Sequence, residues 1–286
     1  MIAAYVMKVV MASVIFLMLG VGLNTAFGQV IAVARQVRLI GIGVLANFIV
    51  VPVLIYLSLV WLPLSPDVKI GIMLMAAAPI APMSPPFVGM ARGNVAYAVG
   101  LMTIVALLSV PLTPLIIDFA LPKSMEGVVL DPMQIIKTLL IAQLIPISIG
   151  MTIRQVSPKW AERLLKFVPK IGQFGLIIGV GLLLAKDTTQ ILSLGLLPQL
   201  VMALMVIGSL FIGDWMLIGE TDDNRRSLAV STAIRNVPLA FLIAGENFPD
   251  TVVAPVTLLF GVFTMVFSVV YGKFKERQVS SKKDTT

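Results

Sequence analysis

At 286 residues the chain is long enough for one or two soluble domains, yet 58% of it is hydrophobic and only 12% charged. Soluble domains run at roughly 45–50% and 25%, and a mean hydropathy of +1.02 excludes that class. With no cysteine and no histidine, disulfide scaffolding, thiolate chemistry, a His-containing zinc site and a Ser-His-Asp triad are all excluded.

Apolar runs of about 20 residues, the length that spans a hydrocarbon core about 30 Å thick, recur along the whole chain. They predict an all-α polytopic membrane protein with nine spans near residues 5–27, 36–62, 69–91, 95–120, 133–154, 168–186, 191–218, 226–245 and 250–272. The first span carries Lys8 and has no small-residue cleavage site behind it, so a retained helix is expected rather than a signal peptide. Turn and charge signals separate the runs, as in Leu62-Pro63-Leu64-Ser65-Pro66-Asp67 and Gly219-Glu220-Thr221-Asp222-Asp223-Asn224. One transmembrane domain over 1–272 is expected, followed by a basic tail over 273–286 that is polar enough to be disordered.

The net charge of +7 is distributed by side. Alternating the loops puts Arg35, Arg38, Arg92, Arg154, Lys159, Arg163, Lys166, Lys170, Arg225, Arg226, Lys273, Lys275, Arg277, Lys282 and Lys283 on one face of the bilayer. The other face receives Lys69, Lys123, Lys137 and Lys186. That is 15 against 4 of the 21 basic residues, with Lys8 and Arg235 within spans. The bias predicts an N-terminus outside and a C-terminus in the cytoplasm, in a plasma or inner membrane, and removes nucleic acid as an expected partner.

Two spans are interrupted. Pro79, Pro82, Pro85 and Pro86 fall within eight residues of the third, and each removes a donor and clashes with the preceding turn. In the eighth, Ser231-Thr232-Ala233-Ile234-Arg235-Asn236-Val237-Pro238 forms a polar break with Arg235 about 15 Å of helix from the loop, near mid-bilayer. Carbonyls freed at that depth need protein, water or solute. Paired broken helices in the two halves of a hydrophobic chain point to a transporter's binding site. The plainer readings are a structural kink for the prolines and, for Arg235, snorkelling or an ion pair with Asp214 of the seventh span. Asn47 lies mid-span in the second helix and serves either a solute or a neighbouring helix. Gln143, Gln173 and Asn24 read as helix–helix bridges, Thr103 as bonding its own helix, and the methionines as packing.

The stretch Ala78-Pro79 to Ala96, then Leu108-Ser109-Val110-Pro111-Leu112-Thr113-Pro114, resembles the fourth and fifth helices of the bile acid:sodium symporter family. Leu19-Gly20-Val21-Gly22-Leu23 and Asn47-Phe48…Pro52 are similar to the two helices before them, and Ser231 to Ala240 to the ninth. The resemblance covers about residues 15–272, in a nine-helix form that lacks the family's first helix. It implies inverted repeats with two crossing broken helices, divided into a core (spans two, three, four and eight) and a panel (spans one, five and six, with the ninth). Solute would bind between them and move by alternating access.

The same resemblance implies two sodium ions in the core. Its serine position is kept as Ser84, but the neighbouring asparagine is Pro85 and the fifth-helix hydroxyls are Ala98 and Met102. The glutamate is Ser231, the glutamine is Arg235, Asn236 is retained, and the third-helix glutamine is Asn47. A guanidinium ~4 Å from a sodium ion would repel it by several kcal/mol even at a dielectric near 20. The expectation is therefore an organic-anion transporter with no cofactor and no metal site. Arg235 stands in for the missing ion and binds the carboxylate or sulfonate of the solute through its fork, with Asn236, Ser84, Asn47, Ser231 and Thr232 as the other solute-binding residues. The alternative is a sensor or accessory protein that keeps the fold without transport. No nucleophile–base pair supports an enzyme, and no ring of like residues or glycine-rich filter supports a channel.

Overall fold

The computed structural model describes residues 2–120, 131–186, 188–249 and 251–284, and the secondary structure among them is helical. The helices are α1 (Ile2–Asn24), α2 (Phe27–Ala34), α3 (Val37–Leu45), α4 (Val51–Trp61), α5 (Pro66–Ala77), α6 (Ser84–Met90), α7 (Val95–Ala120) and α8 (Pro132–Leu139). They continue with α9 (Ile145–Val156), α10 (Pro158–Leu165), α11 (Val168–Lys186), α12 (Thr188–Ser193), α13 (Leu196–Met216), α14 (Asp222–Ala233), α15 (Val237–Asn247) and α16 (Val253–Asp284). Two π-helical turns, Ala46–Val50 and Leu140–Leu144, join α3 to α4 and α8 to α9.

Seven helices among the described residues are long and apolar enough to cross a membrane. The two predicted spans missing from that set are the third and the eighth, each of which is two short helices: α5 with α6, and α14 with α15. Exposed Phe119, Phe174, Ile177, Phe211 and Trp215 form an apolar exterior that water would not tolerate at this density. The chain is an integral membrane protein.

Two groups of helices result. In the first, α1 packs on α9, α10 and α11. Its closest approach is reciprocal, because a Cβ on Gly22 would fall on the Ile147 carbonyl and one on Gly150 would reach the backbone of Leu19 and Leu23. Only glycine lets two backbones meet this closely. The second group gathers α5, α6, α7 and α13 to α16, with the π turn of residues 46–50 beside α7 and α13.

The ninth span belongs here and not to the panel. α16 packs chiefly on α5, α13 and α15, because Gly71 lets α5 close onto Val253 and Val256, and Gly261 does the same for Val237.

The tail also departs from expectation. α16 runs on to Asp284, through a Lys, Glu, Arg and Gln segment of good helix formers, and Glu276 is held 2.9 Å from Arg92. Residues 285–286 and the loop bearing Lys123 lie outside the described residues.

Candidate functional site

The prolines set the site by what they cannot donate. Pro79 and Pro82 have no N–H for the last turn of α5, which stops at Ala77 and leaves consecutive carbonyls unbonded within the helix. Each finds a donor from elsewhere. The Thr113 hydroxyl of α7 donates to the Ala77 carbonyl at 3.0 Å, Arg235 Nη1 to that of Ala78 at 3.3 Å, and the Asn236 N–H to that of Pro79 at 2.8 Å. In return the Ala81 N–H donates to the Ile234 carbonyl at 3.1 Å. Ile80 and Arg235 thus form an antiparallel β-bridge where the two interrupted helices cross. Non-helical backbone is tolerated at membrane depth only where protein or a water-filled cavity satisfies it, and here the protein does so. Thr113→Val should leave the Ala77 carbonyl bare and cost about 1–3 kcal/mol, read as a lower Tm of the purified protein.

Arg235 is 3% exposed. Besides Ala78, its Nη1 donates to the Asn47 carbonyl at 3.2 Å, which has a local cause. In the π turn the Val51 N–H bonds back to Ala46, and Pro52 has none to give, so Asn47 loses its intrahelical donors. The Asn47 side chain donates to the Gly43 carbonyl at 2.8 Å. Arg235 Nη2 and Asn47 Oδ1, a donor and an acceptor, are both buried without a protein partner.

Asp214 is not that partner. It pairs with Arg225 at 2.6 Å. Asp214 lies near the end of α13 and Arg225 near the start of α14, so the hairpin between them sets these two level. Arg235 lies ten residues farther, about 15 Å of helix.

The remaining predicted residues divide. Ser84, at the start of α6, and Ser231, in the last turn of α14, are fully buried with their hydroxyls 3.3 Å apart. Ala98 and Met102 of α7 are buried and bring no oxygen from their side chains. Pro85 and Pro86 occupy the first turn of α6, where a missing N–H costs nothing. Asn236 caps α15 by accepting from the Leu239 N–H at 3.3 Å, with Pro238 in that helix's first turn. Thr232 is turned away from the crossing, its hydroxyl donating to the Ser209 carbonyl of α13 at 3.0 Å. Gln143 does bridge helices, donating at 2.6 Å to both the Ala106 carbonyl and the Ser109 hydroxyl, with Asn236 Nδ2 3.5 Å from its Oε1. Thr103 bonds the Val99 carbonyl of its own helix, as expected.

Two cavities flank the crossing on the side facing α1 and α11. One of about 520 Å³ is lined by Leu17, Leu176, Ile177, Leu258, Met265 and the segment from Ile234 to Pro238, among others. The other, about 470 Å³, reaches Asn24, Pro85, Gly89, Val99 and Pro169. They have Leu17, Pro82, Met83 and Gln173 in common. Sequence reasoning gave Gln173 and Asn24 a bridging role and passed over Met83. Only its place beside Pro82 set Met83 apart from the other methionines.

Crossed interrupted helices beside a separate helical layer, with cavities between them, define a class of polytopic helical membrane transporters. The model of the Sodium Bile acid symporter family matches residues 11–194. The chain belongs to that family, which is one of transporters.

It is 24% identical over 249 residues to a probable sodium/metabolite cotransporter, BASS2, chloroplastic, of Oryza sativa subsp. japonica, covering 84% of this chain and 57% of that protein. The uncharacterized sodium-dependent transporter YocS of Bacillus subtilis (strain 168) is 23% identical over 276 residues, covering 93% and 84%. A sodium-dependent organic anion transporter of Bos taurus is 23% identical over 252 residues, covering 85% and 67%. The chain therefore spans little more than half the length of the rice relative.

Proposed function

We propose that the chain moves an organic anion across the membrane by alternating access of the cleft between the α1/α11 layer and the crossing. The observation that carries this reading is the pair of cavities with Leu17, Pro82, Met83 and Gln173 in common. Rocking one helical group against the other would open this partition to one cavity and then to the other. The lining is mostly aliphatic, and its polar residues are Gln173, Arg235, Asn236 and Thr264, which suits an apolar body with a small polar head. Arg235 belongs both to the bridge and to the cavity lining, and its fixed positive charge acts strongly in a low-dielectric site, so the head is anionic: a carboxylate or a sulfonate. One relative's name, that of the cattle protein, carries the same ligand class. The bias of basic residues to one set of loops supports a C-terminus in the cytoplasm, in a plasma or inner membrane.

The test is uptake into proteoliposomes of a panel of carboxylates and sulfonates with apolar bodies of increasing size. Saturable uptake above protein-free vesicles is expected for at least one. Uptake no faster than the leak of empty vesicles for every member contradicts the proposal. Met83→Trp should fill the partition and lower that uptake at least tenfold while leaving Tm close to the wild-type value; undiminished uptake would move the path elsewhere.

A further inference from the structure

The relatives are named as sodium-coupled, which makes sodium a co-substrate whose fit to this crossing can be tested on the donor set. A hard cation is held by several oxygens, with carboxylate charge to offset its own. The crossing segments 78–84 and 231–237 contain no Asp or Glu. Asp214, the acid expected nearest to them, is engaged by Arg225. Asn47 Oδ1 is a lone side-chain acceptor left without a donor, one oxygen where several are needed, and the oxygens that the breaks themselves release are main-chain carbonyls. Those of Asn47 and Ala78 already accept from Arg235 Nη1, that of Ala77 from Thr113, and those of Pro79 and Ile234 from the opposite strand of the bridge. The Ser84 and Ser231 hydroxyls face each other. An ion entering here would have to displace these donors and sit beside a guanidinium that does not deprotonate in proteins. The residues do not fit sodium.

We infer that Arg235 is a tethered cation holding the carbonyl oxygens at the crossing that a co-transported sodium ion would otherwise bind, so that this chain carries its solute without sodium. This rests on the transport reading above. The guanidinium supplies permanently what an ion supplies on binding: a positive charge and donors that pin the second span's π turn to the end of α5. Because the charge travels with the protein, no ion gradient is coupled through it, and the anion moves with its own gradient or with another ion bound elsewhere.

Two readouts on the full chain separate the inference from the transport reading. The first is Tm of the purified protein in sodium chloride against choline chloride at equal ionic strength. The second is anion uptake in the same two salts. Wild type should show no sodium-specific rise in Tm and uptake rates equal within twofold. A sodium-specific rise in Tm, or a tenfold loss of uptake in choline, overturns the inference. Absence of uptake in both salts would remove the transport reading while the Tm comparison still decides the sodium question. The double variant Ser231→Glu/Arg235→Gln supplies a carboxylate and removes the cation, so its Tm should become sodium-dependent. A folded double variant indifferent to sodium also overturns the assignment.

Discussion

Replacing Arg235 with alanine should reduce anion uptake at least tenfold and lower Tm as well. The two effects have separate causes. For transport, an anion about 8 Å from the guanidinium at an effective dielectric near 20 gains about 2 kcal/mol, or roughly thirtyfold in affinity. For stability, truncation leaves the Asn47 and Ala78 carbonyls buried without donors, at about 1–3 kcal/mol each. Arg235→Lys separates them. It keeps the charge, so uptake should recover in part, but an ammonium does not reproduce the planar fork that reaches two carbonyls, so Tm should stay low. Equal uptake in Arg235→Ala and wild type would leave the charge without a role in transport.

The largest expected effect on folding lies away from the crossing. Gly22→Val or Gly150→Val puts a branched side chain where α1 and α9 touch through their backbones. A flexible side chain can move aside, but a carbonyl held in a helix ladder cannot, so the helices must part. Overpacking typically costs about 1–3 kcal/mol, and more where backbone must shift; here about 3 kcal/mol or more is expected. The readout is loss of monodisperse protein on gel filtration after membrane extraction. Gly28→Ala is the control, since a Cβ there meets nothing within 4 Å, and it should be neutral. If Gly150→Val folds with the Tm of the wild type, the close contact between these helices is wrong.

Much of the fold was legible because the signals behind it are local. Apolar runs of spanning length and clustered prolines need no knowledge of partners, and Pro79, Pro82 and Arg235 do lie between helices, whereas Pro85, Pro86 and Pro238 lie in the first turns of α6 and α15. The pairing of Ile80 with Arg235 was not legible. It depends on which main-chain carbonyls meet across more than 150 residues, and main-chain donors are the same in every residue. The partner of Asp214 was misjudged for a related reason. Arg225 and Arg235 lie on one interrupted span, and only the register of the α13/α14 hairpin decides between them.

The π turn at Ala46–Val50 was hidden as well, since Pro52 predicts a disturbed helix without saying how the ladder is repaired. Thr232, polar and next to Ser231, gave no sign that its hydroxyl faces α13. The helical tail shows the opposite error, in which charge was taken for disorder although the same residues favour helix.

The central claim is that the partition around Met83 is reached from each side of the membrane in turn. The chain contains no cysteine, so Met83→Cys provides a single thiol at that partition. Proteoliposomes of this variant, first shown to retain uptake, are treated with a membrane-impermeant thiol reagent added outside only or trapped inside only. Labelling from both sides, slowed from both by a transported anion, is the predicted result. Labelling from one side alone while uptake continues would contradict the account.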